Sequence, residues 1–452
     1  MTELQKKHPK ALYMLFAVEM WERFSYYGMR GILILYLTKS IIEGGLGIAA
    51  ENASYIYGIF AGILYATPML GGYLADNYLG KRNAVMIGGF LMMLGQFSLF
   101  AMNNITGLWI GIAFLALGNG FFKPNISSIV GELYEPNDTR KDAAFSIFYM
   151  GVNLGALIAP LIIGYIAEDY FTTKTAAGEI ITFGYKYGFL AAGLGMLLSQ
   201  IIFISLAQKF LGNKGLLVAK PQNLTAQEKQ DRALTKTDKD RITAIFIFSV
   251  FTIAFWLGFE QAGASMTLYT DRYIDRAIGD WTIPTAWFQS INAFFVVSLA
   301  PVIGWFWTTR KGAQISTPTK MGMGLILLGV GFIFMLGAIA QRGGDNTNPD
   351  IKAHYLWMIF TYLAHTLGEL CLSPVGLSVV SKLSPARMVS FFMGVWFLAS
   401  AVAHLLGGVV SGYVETLGAQ SVFMLLSIFA IFAGIVMLLI TKKVQKLMHG
   451  IS

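Results

Sequence analysis

Charge is scarce in this 452-residue chain: Asp, Glu, Lys and Arg together make up 13% of it, against roughly a quarter of an ordinary soluble domain. A water-soluble globular enzyme is thereby excluded. Cysteine is scarcer still. The single thiol, Cys371, can form no internal disulfide and no thiolate metal site, so nothing depends on an oxidising compartment; it reads as a small apolar helix residue. Also missing are an HExxH pair, a nucleophile elbow and paired aspartates within apolar runs, and Ser265 has no membrane histidine positioned by sequence to serve it, so an intramembrane enzyme is not indicated. No metal site and no organic cofactor are expected. What the chain has in excess is apolar surface: 55% of its residues are hydrophobic and 34 are Phe, in runs too long for a soluble core.

A helix that crosses the hydrocarbon of a bilayer needs about 20 mostly apolar residues. Such segments lie near 12–38, 54–75, 83–102, 106–131, 144–167, 184–208, 242–263, 284–307, 319–340, 353–380, 388–414 and 419–441. The expectation is an all-α membrane protein with twelve transmembrane helices. The one long polar stretch, 209–241, divides them into an N-terminal six-helix bundle, 1–208, and a C-terminal six-helix bundle, 242–452. Within this basic linker Thr225 and Glu228 stand at capping-box spacing, which leaves open a surface helix inside an otherwise solvated segment. Lys and Arg concentrate in the N-terminus, the even-numbered loops and the C-terminus, so that side is cytoplasmic and both termini face it. The net charge of +8 is then a topology signal, and nucleic acid is not implied. The first apolar run is too long for a signal peptide and has no small-residue cleavage site after it.

A charge at the bilayer centre costs about 2.5–3.5 kcal/mol even on the lenient insertion scale. Seven such residues stand inside the spans: Glu19, Glu22, Arg23 and Arg30 on the first, Lys123 on the fourth, Glu260 on the seventh and Glu369 on the tenth. They occupy only the first and fourth helices of each half, which suggests a polar cavity between two related halves. At about 100° per residue, Glu19, Glu22, Arg23, Tyr26, Tyr27 and Arg30 share one face. Ion pairs that merely hold helices together would explain Glu22 with Arg23 or Arg30. Four carboxylates against three cations nevertheless leave one negative charge uncompensated, and an unpaired carboxylate in a dry interior takes up a proton. Proton-driven transport follows as the expectation. Pro124 and Pro374 are expected to break the fourth helix of each half beside its charge. In the turn GGYLADNYLGKR, residues 71–82, Asp76 is placed to meet a basic residue or a helix end.

The stretch EMWERFSYYG at 19–28 resembles the ExxERFxYYG motif of the proton-coupled oligopeptide transporter family of the major facilitator superfamily. Further matches are GGYLADNYLG at 71–80, GNGFFKPNIS at 118–127, FSIFYMGVNLGAL at 145–157, FWLGFEQAGAS at 255–265 and GELCLSP at 368–374. The resemblance implies the major facilitator fold and a symporter that imports di- and tripeptides, and with them peptide-like drugs, by alternating access. Protons are the coupling ion. On this likeness Glu19, Glu22 and Glu260 couple protons, and Arg23 with Lys123 receives the peptide carboxylate. Asn153, Asn292 and Glu369 hold its amino end, with Ser373 also in the peptide site. Tyr26, Tyr27, Tyr65, Trp287 and Trp396 form an aromatic wall. Arg30 belongs to the binding set and pairs with Glu260 as an outer gate, while Lys123 and Glu369 form an inner one.

Two departures from the family pattern are visible. The 209–241 segment is too short and polar to supply the two extra helices of many bacterial members, and no His occurs between residues 53 and 78, where animal members carry one on the second span. His365, four residues before Glu369 on the same helical face, reads as structural, as does His404. A monomer in the cell membrane is the default arrangement. The competing reading is another proton-coupled major facilitator carrier, for nitrate, a drug or another small solute; the paired glutamates of the first span favour peptides.

Overall fold

The computed structural model describes residues 7–135, 138–176, 178–216, 234–346, 348–385 and 388–451, with the side chains of 373–375, 377, 378 and 390 outside the description. Helices dominate: α1 (Lys10–Thr38), α2 (Ala50–Leu74), α3 (Lys81–Ala101), α4 (Ile105–Glu132), α5 (Lys141–Tyr165), α6 (Tyr185–Leu211), α7 (Lys236–Phe259), α8 (Ser265–Tyr273), α9 (Trp287–Thr308), α10 (Thr317–Gln341), α11 (Leu356–Leu383), α12 (Val389–Leu417) and α13 (Ala419–Leu447). Every one of the expected apolar segments is helical. Among the described residues, ten helical stretches are long and apolar enough to cross a membrane. The chain is a multi-pass membrane protein.

The chain divides into two compact units: Met1–Ala53, Ile63–Pro221 and Ile278–Ala293 in the first, and Ser54–Gly62, Gln222–Ala277 and Phe294–Ser452 in the second. Within the first unit α1 packs on α5 and α6, and α3 packs on α4 and α6. Within the second, α7 packs on α12 and α13, and α10 on α11 and α13. The same scheme is thus used twice, six spans apart, as an internal repeat requires.

Small residues permit the close approaches. Gly58 and Gly62 of α2 lie four apart, as do Gly408 and Gly412 of α12, the spacing that lets membrane helices touch by their backbones. A Cβ on Gly58 would come within 2.7 Å of the Gly408 Cα. At the other end of α2 the chain passes through a π-helical turn, Ala75–Leu79, to Gly80, whose φ of 75° and nearness to the Leu216 carbonyl suit only glycine.

Three local expectations change. Pro124 lies inside α4 without ending it, because the freed carbonyl and altered pitch are tolerated where neighbouring helices pack around them. Asp76 is exposed, and the turn is tied instead by Lys81 to Glu132 at 2.5 Å and by Arg82, which donates to the Gly212 carbonyl at 2.6 Å. The seventh segment does not run unbroken: α7 gives way at Glu260 to a 3₁₀ turn, Glu260–Gly263, before α8 resumes. Its N-terminus carries a capping box, Thr235 with Asp238. Thr225 and Glu228 lie outside the described residues, as does Ser373 with Pro374 for its side chain.

Candidate functional site

In the first unit the charges of α1 meet on one face and pair. Arg23 donates through Nε to Glu22 Oε2 and through Nη2 to Glu22 Oε1 at 2.7 Å, and the same Nε stands 3.2 Å from Glu19 Oε1. All three are nearly sealed: Glu22 is 0% exposed and Glu19 and Arg23 4% each. Two carboxylates thus share one guanidinium. Lys123 of α4 lies within electrostatic reach of Glu19, yet Glu19 Oε2 is buried with no hydrogen-bond partner. An oxygen in that position is costly as an anion and has room for a proton.

Aromatic rings line this half. The Arg23 guanidinium lies 5.4 Å from the Tyr26 ring centre, and Lys123 Nζ lies 4.8 Å from that of Tyr65, both distances at which a cation is attracted to a ring face. Tyr27 packs edge-to-face on Tyr26 at 5.1 Å. Tyr149 of α5, which motif reasoning passed over, is also within electrostatic reach of Glu19. Asn153, one turn on, donates to the Tyr149 carbonyl at 3.0 Å. Arg30, Lys123 and Asn292 are half-buried.

Trp287 has a packing role beside any role as a wall. Its indole N–H donates to the Leu161 carbonyl at 2.9 Å, and Ser290 donates to the Leu157 carbonyl at 2.8 Å, fastening the start of α9 to α5. Glu168 completes that joint. Its carboxylate accepts from the backbone N–H groups of Thr285 at 2.7 Å and Ala286 at 2.9 Å, orphan donors at a helix start where negative charge is favoured. It is 8% exposed. The hydropathy reading ended the fifth span at 167 and so did not count Glu168 among the buried charges. Arg82 and Arg342, at 7% and 2% exposed, were missed for the same reason: each sits at a helix end.

In the second unit Glu260 opens the 3₁₀ turn and is 6% exposed. Its Oε1 lies 3.0 Å from His404 Nε2 on α12, while His404 Nδ1 lies 2.6 Å from the Ser400 carbonyl. The structural reading of His404 is therefore incomplete, since its ring is laid directly on a candidate proton-coupling carboxylate. His365 is 1% exposed and packs against Phe332 and Phe259, ring centres 4.8 and 6.3 Å away, but neither of its ring nitrogens has a hydrogen-bond partner among the described residues, so it is a packed histidine and not a satisfied one. Glu369, one turn on, is half-buried. Trp396 closes over Gly376, where a Cβ would come within 2.4 Å of the indole. The two expected gating pairs each join residues of different units, Arg30 and Lys123 in the first and Glu260 and Glu369 in the second. Among the described residues no group of three or more His, Cys, Asp or Glu could hold a metal ion.

Comparison with known proteins adds a family. The model of the POT family matches residues 82–214 and 213–425. The peptide transporter YePEPT of Yersinia enterocolitica is 35% identical, over 98% of this chain and 96% of its own. A di-/tripeptide transporter of Lactococcus lactis subsp. cremoris is 30% identical, over 98% and 97%. Among solved structures, a peptide transporter POT in complex with alafosfalin superposes with a TM-score of 0.87 at 33% identity, covering 98% of this chain and 96% of that one.

Proposed function

Because this chain belongs to the POT family, we propose that it is a proton-coupled symporter that imports di- and tripeptides across the cell membrane by alternating access. The observation that carries this reading is the α1 cluster, in which Glu19, Glu22 and Arg23 are buried together and Glu19 keeps one oxygen without a partner. A permanent cation beside a carboxylate with a place for a proton is what a carrier of zwitterions and protons needs. Arg23 and Lys123 receive the peptide carboxylate. Asn153, Asn292 and Glu369 hold the amino end, and Tyr26, Tyr27, Tyr65, Trp287 and Trp396 accept side chains by flat contact. Arg30 with Glu260 and Lys123 with Glu369 serve as the gates. Charge complementarity fixes the peptide's orientation and its backbone supplies the affinity, so selection is by length and termini.

In this reading all twelve helices span the bilayer, six on each side of the 209–241 linker, with both termini cytoplasmic and the protein working as a monomer. The α1 helix fails a simple apolarity test because of the charges that give it a function. Each entering proton supplies about 2.3 kcal/mol per 100 mV of membrane potential and about 1.36 kcal/mol per pH unit, enough for concentrative uptake under ordinary gradients. Labelled di-, tri- and tetrapeptides offered to proteoliposomes under an imposed pH gradient test the proposal. Proton-dependent uptake of the two shorter lengths is expected, and none of any length would overturn it.

A further inference from the structure

The environment of His404 assigns a proton to a definite place. A carbonyl oxygen can only accept, so the 2.6 Å contact with the Ser400 carbonyl requires the hydrogen on Nδ1. The other ring nitrogen, Nε2, faces Glu260 Oε1 at 3.0 Å. If the imidazole were neutral and the carboxylate ionised, two lone pairs would face each other in a site where both side chains are more than nine-tenths buried. One proton between Nε2 and Oε1 removes that conflict, as imidazolium with carboxylate or as imidazole with carboxylic acid. The backbone arrangement maintains the geometry: Glu260 sits at the break between α7 and its 3₁₀ turn, and Gln261 Nε2 donates to the Gly407 carbonyl of α12 at 3.0 Å.

We propose that His404 and Glu260 form one proton-holding pair, with His404 a positioning residue that sets the acidity at which Glu260 loads and releases its proton. This rests on the transport reading above and deepens it. The elements packed around the pair bring further polar groups. The 54–62 stretch of α2, packed on α12, brings Tyr55 and Tyr57. The α8 helix brings Tyr269 and Arg272, of which Arg272 is paired with Glu415 at 2.6 Å. Family resemblance adds Arg30 as a further cation for Glu260.

The test uses the full-length protein with His labelled with nitrogen-15, together with uptake of labelled dialanine in proteoliposomes. In the wild type at neutral pH the His404 ring is expected to report a proton shared at Nε2, and Glu260→Gln is expected to convert it to the neutral form with hydrogen on Nδ1 alone. His404→Gln is expected to move the half-maximum of proton-driven uptake toward acid by about one pH unit, a tenfold change in proton concentration. The same substitution is expected to produce no such shift in the Glu260→Gln background. A His404 signal unchanged by Glu260→Gln overturns the pairing, and so does an unmoved half-maximum in His404→Gln. Should His404→Gln lose uptake at every pH, the ring signal decides alone. Failure of wild-type uptake would overturn the transport reading and leave the ring measurement standing as a separate result.

Discussion

Two buried carboxylate sites in this chain are neutralised by different chemistry. On α1, Glu22 and Glu19 face Arg23, whose guanidinium never gives up its proton at physiological pH. Just past α7, Glu260 faces His404, whose ring meets the carboxylate through Nε2 and the Ser400 carbonyl through Nδ1. The first arrangement locks Glu22 through two hydrogen bonds to the guanidinium and leaves Glu19 as the member with a spare oxygen. The second sets an imidazole against the carboxylate, so that one proton can lie between the two. A third buried carboxylate, Glu168, accepts from two backbone N–H groups, which do not titrate. Cation, imidazole and amide are thus three different partners for a buried carboxylate.

The comparison can be broken most forcefully at Arg23. Arg23→Gln leaves two buried carboxylates without their guanidinium, and removing one partner of a buried ion pair costs about 3–5 kcal/mol. Peptide uptake is expected to fall to background and the thermal midpoint in detergent to drop; a stable, active variant would show that the cluster is dispensable.

Glu22→Gln and Glu19→Gln sharpen the division of labour within the cluster. Loss of the two-point contact is expected to cost Glu22→Gln about 1.5–3 kcal/mol, the range for hydrogen bonds to charged groups, with less for Glu19→Gln. Glu19→Gln is expected to lose dependence on the pH gradient before it loses stability. Thermal unfolding and gradient-driven uptake, measured on both variants, check the order. Equal destabilisation by the two would contradict it.

The smallest effect is expected at Glu168. Glu168→Ala uncaps the start of α9 at a cost of about 1–2 kcal/mol, the range for helix caps. Because backbone amides do not titrate, the shape of the uptake pH profile should be unaltered even where its height falls. A shifted profile would place Glu168 in the proton path and erase its contrast with Glu260.

The apolar runs of 18 or more residues were sufficient to locate the helices to within a few positions, since nothing but a helix satisfies its backbone within lipid. The same-face geometry of Glu19, Glu22 and Arg23 was also legible, because residues three and four apart on one helix must be neighbours. Helix ends were harder to read. Glu168 lies one residue past the expected end of its span and looks like any loop acid until α9 is brought against it. The break at Glu260 has no proline to announce it.

The amino-acid sequence by itself determined the membrane class, the helices, the α1 cluster and, through its motifs, the family. Local periodicity and solvent preference suffice for these. Only the tertiary structure decided that Glu260 meets His404, 144 residues away, that Glu168 caps a helix other than its own, and that Trp287 spends its N–H on α5. Those pairings depend on which helix faces are pressed together, and packing between helices far apart in the chain leaves no period in the sequence of either one.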